Sequence, residues 1–309
     1  MKNRAAANYI LKVIIIALAL AAFTPAASPF KTNTLNAACA EESDGEFIVL
    51  EKYLGEKEGE FLAEADAKVV KIAEFSTDYS WSGEARKHNI ALAASRLSGV
   101  VIEPDEVLSF NATVGPRTAA NGFLAAPIIQ NGKFVEGAGG GVCQVSSTFY
   151  NAALLADLTI VSVTAHSLPV RYVLPSFDAM VSSVTDLKIQ NTHPAPVQIF
   201  AKADGARLTI EIHGHLLGYS VKRMSKTIKE IQPKTEYIEA DQAGIVLFGG
   251  VNGRVSEGYL QYIYKDKVIK TVKIRHDVYA PQKRLETIAK KPAAEEPEDM
   301  EKDGEAKTP

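Results

Sequence analysis

The chain has 309 residues, 46% of them hydrophobic and 23% charged, with 34 basic against 37 acidic side chains and a formal net charge of −3. That balance excludes an intrinsically disordered chain, a collagen-like repeat, a polytopic membrane protein and a general basic surface for nucleic acid. Two cysteines, Cys39 and Cys143, exclude a disulfide-dense scaffold and a four-thiolate zinc site, and the length suits about two domains.

Residues 1–12 carry Lys2, Arg4 and Lys12 without an acid, and residues 13–23 form an uninterrupted apolar run too short to span a bilayer comfortably. Small residues follow, and Ala38-Cys39-Ala40 fits a signal-peptidase site. Residues 1–40 therefore read as a signal peptide or, uncleaved, as an N-terminal anchor at the outer face of the cytoplasmic membrane. The chain is expected outside the cytoplasm, touching a membrane only through this segment. Cleavage would remove Cys39 and leave Cys143 as a free thiol.

Residues 41–74 form a strand and linker region, with short strands expected over 47–50 and 69–72. Ile90, Ala93, Ala94 and Leu97 recur at helical spacing, which predicts a helix over 86–97 that stops at Gly99. Residues 100–110 read as strand and turn, with Pro104-Asp105 at the turn. Turn signals then alternate with an apolar run over 123–129. Gly137-Ala138-Gly139-Gly140-Gly141 leads into Val142, Val145, Phe149, Ala152 and Ala153, again at helical spacing, so a glycine loop feeds a helix. A β-branched stretch over 158–164 ends just before His166, and further strands are expected over 170–174 and 208–212. A second unit begins near Gly218. Residues 258–264 alternate, Lys265-Asp266-Lys267 turns and 268–274 returns, a β-hairpin signature. Residues 291–309 lack aromatics and read as a solvated acidic tail. The expected class is α+β, a mixed helix/sheet domain followed by a small all-β module.

Cys143 stands where chemistry would use a thiol. A helix N-terminus lowers a thiol pKa, its free amides can hold an oxyanion, and glycines before it let a substrate approach the backbone. His166, at a strand end, is placed to act as base, with Asp178 or Asp186 as its orienter. The residues alone leave a second reading open, Cys143 as a small buried hydrophobe and His166 as an ordinary surface residue. Ser146 and Ser147 suit first-turn capping and substrate hydrogen bonding. No Gly-Lys-Ser/Thr follows the glycine run, so it is not a phosphate loop. His213 and His215 share a strand face but have no third ligand nearby, so no metal is expected, and no cofactor is implied. Tyr259, Tyr262 and Tyr264 read as sheet surface rather than a ligand platform.

The run Gly139-Gly140-Gly141-Val142-Cys143-Gln144-Val145-Ser146-Ser147-Thr148-Phe149-Tyr150-Asn151-Ala152 resembles the signature of the VanW family. The likeness takes in Phe75-Ser76-Thr77, Leu108-Ser109-Phe110-Asn111, Val114-Gly115-Pro116-Arg117-Thr118, His166-Ser167-Leu168-Pro169-Val170, Asp178-Ala179 and Asp186-Leu187. It implies a VanW-like catalytic domain over 75–215, and residues 219–290 resemble, more loosely, a G-five module. The resemblance further implies an L,D-transpeptidase of peptidoglycan forming 3-3 cross-links through a thioester. Cys143 is then nucleophile, His166 base and acid, and Asp178 orienter, with Gly140, Gly141, Gln144, Ser146 and Ser147 around the oxyanion and substrate. Stem peptides are the implied partners, with glycan strands as a partner for the C-terminal module. Val163, Thr164, Ser176 and Met180 stand where the family usually has Arg, His, Gly and Thr. The other readings are a non-catalytic wall-binding scaffold and a cysteine peptidase or amidase on the same stems.

Overall fold

The computed structural model describes residues 69–130 and 133–290, all within one compact unit, Lys52–Pro309. Residues 1–40 with Cys39, the strand expected over 47–50 and the tail over 291–309 lie outside the described residues.

In chain order the first half runs β1 (Val70–Asp78), α1 (Glu84–Leu97), β2 (Val101–Ile102), β3 (Val107–Ser109), α2 (Phe110–Val114), β4 (Ala125–Gln130), β5 (Lys133–Ala138), α3 (Val142–Leu155), β6 (Thr159–Ser162), β7 (Lys188–Gln190), β8 (Val197–Ala203) and β9 (Arg207–Gly214). The second half contains only strands, β10 (Ser220–Ile231), β11 (Thr235–Ala240), β12 (Val246–Phe248), β13 (Gly253–Tyr264), β14 (Lys267–Tyr279) and β15 (Arg284–Ala289). The protein is thus a strand-rich α+β fold.

Four strands form the main sheet in the order β1-β9-β8-β2, antiparallel throughout. The period-2 pattern of β9 turns Leu208, Ile210 and Ile212 inward, all fully buried. Against them pack Ile90, Ala93, Ala94 and Leu97 of α1 and Val145, Phe149, Ala152 and Ala153 of α3. Each large apolar side chain buried in this way contributes roughly 1.5–3 kcal/mol. A smaller sheet, β3-β7-β6, adds Leu187 and Ile189 to the same core.

α3 is buried on nearly every side, including its polar residues Gln144, Ser146, Ser147, Thr148 and Asn151. A helix without a solvent face must satisfy those groups internally. Thr148 Oγ1 meets Thr77 Oγ1 of β1 at 2.8 Å, and Asn151 Nδ2 donates to Phe177 O at 2.7 Å.

In the second half, β10-β13-β14 form one antiparallel sheet and β11-β15-β12 another, with β11 and β15 parallel. The predicted hairpin is β13 and β14. Its two connecting residues, Lys265 (φ 47°) and Asp266 (φ 63°), are both left-handed, as a type I′ hairpin turn requires. Val221 of β10 and Leu260 of β13 belong to the same hydrophobic core as Phe149 and Ile210. Tyr219 and Tyr262 both donate to the Asp157 carboxylate just beyond α3, at 2.5 and 3.0 Å.

The helix expected over 86–97 begins two residues earlier, and Gly99 beyond its end is left-handed (φ 89°). The segment 100–110 resolves into β2, a turn with Asp105 at φ 66°, β3 and the start of α2. The strand expected over 170–174 does not form, and that stretch is irregular. Pro169 and Pro175 bracket it and supply no amide donors for a ladder.

The glycine run shows how tightly the halves of this core meet. A Cβ on Gly140 would lie 2.7 Å from Pro127 O and 2.8 Å from Ala126 C, both backbone atoms of β4. Gly140→Ala is therefore expected to destabilise the protein by about 1–3 kcal/mol, the cost of overpacking. Gly249→Ala, where nothing lies within 4 Å and no helix is capped, serves as the control and is expected to leave the thermal midpoint almost unchanged. Equal midpoints for the two variants would show that the loop yields freely.

Candidate active site

Three elements converge on Cys143. The loop before α3 is laid against α1, β4 and the stem of Arg117, and a Cβ on Gly139 would fall 2.7 Å from Arg117 Cβ. Gly139 and Gly141 have φ of 84° and 107°, conformations that glycine adopts without strain. Asn89 of α1 fixes this loop through its side chain. Its Nδ2 donates to Gly140 O at 3.0 Å and Leu124 O at 2.9 Å, and its Oδ1 accepts from Leu124 N at 2.8 Å. The result is a thiol on the second residue of α3, within the first turn, where the helix dipole favours an anion.

His166 lies beyond β6 and is 6% exposed. Asp178, fully buried, accepts through Oδ2 from both the His166 backbone N and Nδ1, each at 2.7 Å. With Nδ1 occupied in this way, Nε2 is the ring nitrogen left over, and the imidazole and the Cys143 sulfur lie close enough to influence each other's ionisation. The neutral thiol also donates to Val181 O at 3.3 Å. Cys143, His166 and Asp178, singled out from sequence, thus lie together, in an order that chemistry can use as nucleophile, base and orienter.

The remaining expected site residues have structural duties. Gln144 is buried; it donates through Nε2 to Thr77 Oγ1 and Asp78 O, both at 2.9 Å, and accepts from Arg86 at 2.7 Å. Ser146 Oγ donates to Ala179 O at 2.6 Å, and Ser147 Oγ accepts from Ala179 N at 2.9 Å. These two hydroxyls therefore stitch the Asp178-bearing segment onto α3 rather than facing a substrate. Gly140 and Gly141 contribute through backbone shape. Asp186, the other orienter considered, accepts from Ser109 Oγ at 2.6 Å and from the Asn111 N–H at 2.9 Å, which satisfies an amide in the first turn of α2. His213 pairs through Nε2 with Glu211 at 2.8 Å and lies edge-on to Phe200. Tyr262 is engaged with Asp157, and Tyr259 donates to Glu257.

Five further residues shape the electrostatics. Arg117 donates to Asn111 Oδ1 at 2.7 Å, while its second terminal nitrogen is buried without a hydrogen-bond partner. Tyr172 and Arg86 also lie within electrostatic reach of the sulfur. From β14, Tyr279 and Arg275 reach Asp178. Arg117 stands in a segment that the sequence had singled out, but nothing local marks Tyr279 or Arg275.

Burial pushes the Cys143 thiol up, but the neighbouring His166 ring and its charge, the Val181 backbone and Arg117 outweigh it and hold the thiol below its ordinary value. Burial likewise disfavours the His166 cation, yet its bond to Asp178 and the nearby Cys143 sulfur raise it to about 9. Asp178 is raised by burial and lowered more by His166 and Arg275, ending below the usual carboxylate range. The arrangement favours the thiolate–imidazolium form of the pair.

Alkylation of Cys143 by iodoacetamide should accordingly titrate below the free-thiol value of about 8.5, and His166→Gln should move the midpoint up toward it. A wild-type profile centred on the free-thiol value would count against an activated nucleophile. Because the folded pKa of His166 is raised, its contribution to stability is fully present below the unfolded value of about 6.5. That contribution is lost as pH rises through about 9. The gap in thermal midpoint between wild type and His166→Gln should narrow over that window.

A family model described as VanW like protein matches residues 85–213. Among similar proteins, "Uncharacterized protein YoaR" of Bacillus subtilis (strain 168) is 41% identical over 144 residues, covering 46% of this chain and 48% of its own length. "Vancomycin B-type resistance protein VanW" of Enterococcus faecalis (strain ATCC 700802 / V583) is 29% identical over 131 residues, covering 40% and 48%. The chain spans about half the length of these curated relatives. Two solved structures also match, "Crystal structure of HP0197-G5" and "IgA1 Protease G5 domain structure". The first is 20% identical, covers 22% of this chain and 95% of its own, and has a TM-score of 0.15. The second is 18% identical, covers 24% and 93%, and has a TM-score of 0.17. At those scores the likeness carries no argument, and β10–β15 are understood here from their own contacts. Over residues 85–213 the chain is similar to VanW-like proteins.

Proposed function

We propose that the protein is an exported cysteine acyltransferase, an L,D-transpeptidase acting on peptidoglycan stem peptides. The observation that carries this reading is Cys143 in the first turn of α3 beside His166, whose backbone N and Nδ1 both bond the buried Asp178 carboxylate. The vancomycin-resistance relative supports a cell-wall substrate.

In the reaction, the Cys143 thiolate attacks the carbonyl at the L centre of the third, diamino-acid residue of a stem. The oxyanion forms at the first turn of α3, where amides lack intrahelical acceptors. The Val142 and Gln144 amides bond the Gly139 and Gly141 carbonyls, at 3.1 and 2.9 Å, so the Cys143 amide is assigned as the donor. The intermediate collapses with cleavage of the C–N bond, and His166 gives its proton to the departing D-Ala amine. The side-chain amine of a second stem then attacks the thioester, His166 takes a proton from it, and the thiolate leaves. The product is a 3-3 cross-link. Asp178 holds His166 through Nδ1 and leaves Nε2 for these proton transfers.

Incubation with a disaccharide-tetrapeptide, followed by intact-protein mass spectrometry, tests the reading. Wild type is expected to gain an acyl adduct with loss of D-Ala and to yield cross-linked dimer, and Cys143→Ala neither. Loss of general acid–base catalysis in His166→Gln should lower turnover by about 10²–10⁴-fold. Cleaved stems without dimers would assign water as the acceptor, making the enzyme a cysteine peptidase. A folded protein that forms no adduct would leave a wall-binding scaffold as the function.

A further inference from the structure

The site does not end with the residues similar to VanW-like proteins. Asp178 Oδ2 is engaged by His166, and its other oxygen, Oδ1, accepts from Tyr279 Oη at 2.6 Å, across 101 residues of sequence. Tyr279 is 1% exposed, and its oxygen also accepts from the Ser176 N–H at 2.7 Å. Arg275, two turns of the strand alternation earlier on β14, donates to Asp178 O at 2.5 Å and sets its other terminal nitrogen 3.8 Å from Oδ1. Asp277 holds that nitrogen at 2.9 Å.

The same module grips the backbone that carries Asp178. Ser256 Oγ of β13 meets Ser176 Oγ at 2.8 Å, in a buried pair. Ser225 Oγ of β10 donates to Pro175 O at 2.8 Å, and the Ala280 N–H donates to Ser167 O at 2.8 Å. Ser176 itself is left-handed, at φ 66°, a conformation that a non-glycine residue holds only when its surroundings fix it. Two partners from the β-strand half, Tyr279 and Ser256, fix it here.

We propose that β14 completes the acyl-transfer centre, with Tyr279 and Arg275 as positioning residues that hold the Asp178 carboxylate on His166. The β10–β15 module is then a working part of the site. This rests on the nucleophile–base–orienter reading above, but not on the identity of the substrate.

A carboxylate with one free oxygen in a buried site can rotate about its Cβ–Cγ bond and release Nδ1–H. The hydroxyl of Tyr279 prevents that rotation by occupying Oδ1, and Arg275 anchors the adjoining carbonyl. Burial and the neighbouring Asp178 charge keep Tyr279 protonated far above its ordinary range, so it remains a donor. The groups facing Asp178 are His166 and Tyr172 from the segment after β6, Tyr150 from α3, and Arg275, Asp277 and Tyr279 from β14. Those facing the sulfur are His166, Arg117, Arg86 and Tyr172. Loss of the Tyr279 hydroxyl leaves every other charge in place, so its effect on the thiol passes through Asp178 and His166.

The test uses the whole chain and compares Tyr279→Phe with Tyr262→Phe. Both remove one hydroxyl that ties the strand half to a carboxylate, but Tyr262 binds Asp157, away from His166. Iodoacetamide alkylation of Cys143 is followed against pH, alongside thermal unfolding and turnover of a disaccharide-tetrapeptide. Tyr279→Phe is expected to move the acid limb of the alkylation profile up by about one pH unit, an alkylation rate about tenfold lower below the midpoint. Tyr262→Phe is expected to leave that profile on the wild-type curve. In turnover, Tyr279→Phe should lower kcat with little change in KM. A Tyr279→Phe profile that overlays wild type, with the protein folded, would overturn the proposal. Equal shifts in both variants would also overturn it, since they would report general loosening. A shift confined to Tyr279→Phe in a protein that turns over no tetrapeptide would support the positioning role and refute the substrate assignment.

Discussion

A buried carboxylate sets the terms for this structure. Asp178 is inaccessible to water, and an ionised group so placed must be compensated or take up a proton. Breaking one side of a buried, hydrogen-bonded pair costs roughly 3–5 kcal/mol, a large part of the stability of any domain. The donors that compensate Asp178 come from distant parts of the chain: the backbone and ring of His166, and the hydroxyl of Tyr279 with the nearby charge of Arg275. No short segment could supply them all. The strand half must therefore dock on the helix-bearing half before the site can hold its charge, and the shared core through Val221 and Leu260 provides the apolar part of that docking.

α3 carries the second constraint. Its N-terminal turn presents the thiol, while the rest of the helix lies inside the protein and is lined with hydroxyls and amides. Each of those polar side chains is paired with a backbone or side-chain group of β1 or of the segment around Asp178. The motif around Cys143 thus has two jobs divided along its length. Gly139 to Cys143 shape the end that presents the thiol, and Gln144 to Asn151 fix the relative placement of Cys143, the first strand and the segment that carries Asp178. A single rigid helix that touches all three keeps the distance from sulfur to imidazole from drifting, which proximity in catalysis demands.

Sequence reading reached the parts governed by local rules. Helical spacing gave α1 and α3, glycines and turn residues placed the loop before Cys143, and strict alternation around Lys265-Asp266 gave the β13–β14 hairpin. Cys143, His166 and Asp178 were legible because each residue type restricts its chemistry and a family signature surrounds them. The strand expected over 170–174 was not, since apolar content alone says nothing of the missing partner strand. Gln144, Ser146 and Ser147 were assigned to substrate because adjacency to a thiol cannot reveal which way a helical side chain faces. Tyr279 and Arg275 were invisible for a stronger reason. They alternate on a strand whose local pattern is fully explained by the hairpin, and their role exists only where β14 meets a loop a hundred residues away.

With the sulfur ionised, the charged groups of the site alternate in sign from one neighbour to the next: the Cys143 thiolate, the His166 imidazolium, the Asp178 carboxylate, the Arg275 guanidinium and the Asp277 carboxylate. In such a row every neighbour is attractive, and the like charges are one place further apart. Near the sulfur, the neutral thiol donates to Val181 O, and the Val181 backbone is among the groups that hold the thiol down. Beyond the imidazole, Asp178 holds the proton on His166. Asp178 stabilises the cation only while it stays ionised and correctly turned, and Arg275 and Tyr279 are the groups that keep it so. The reactivity of the sulfur on α3 is in this way set partly by a strand that never touches it.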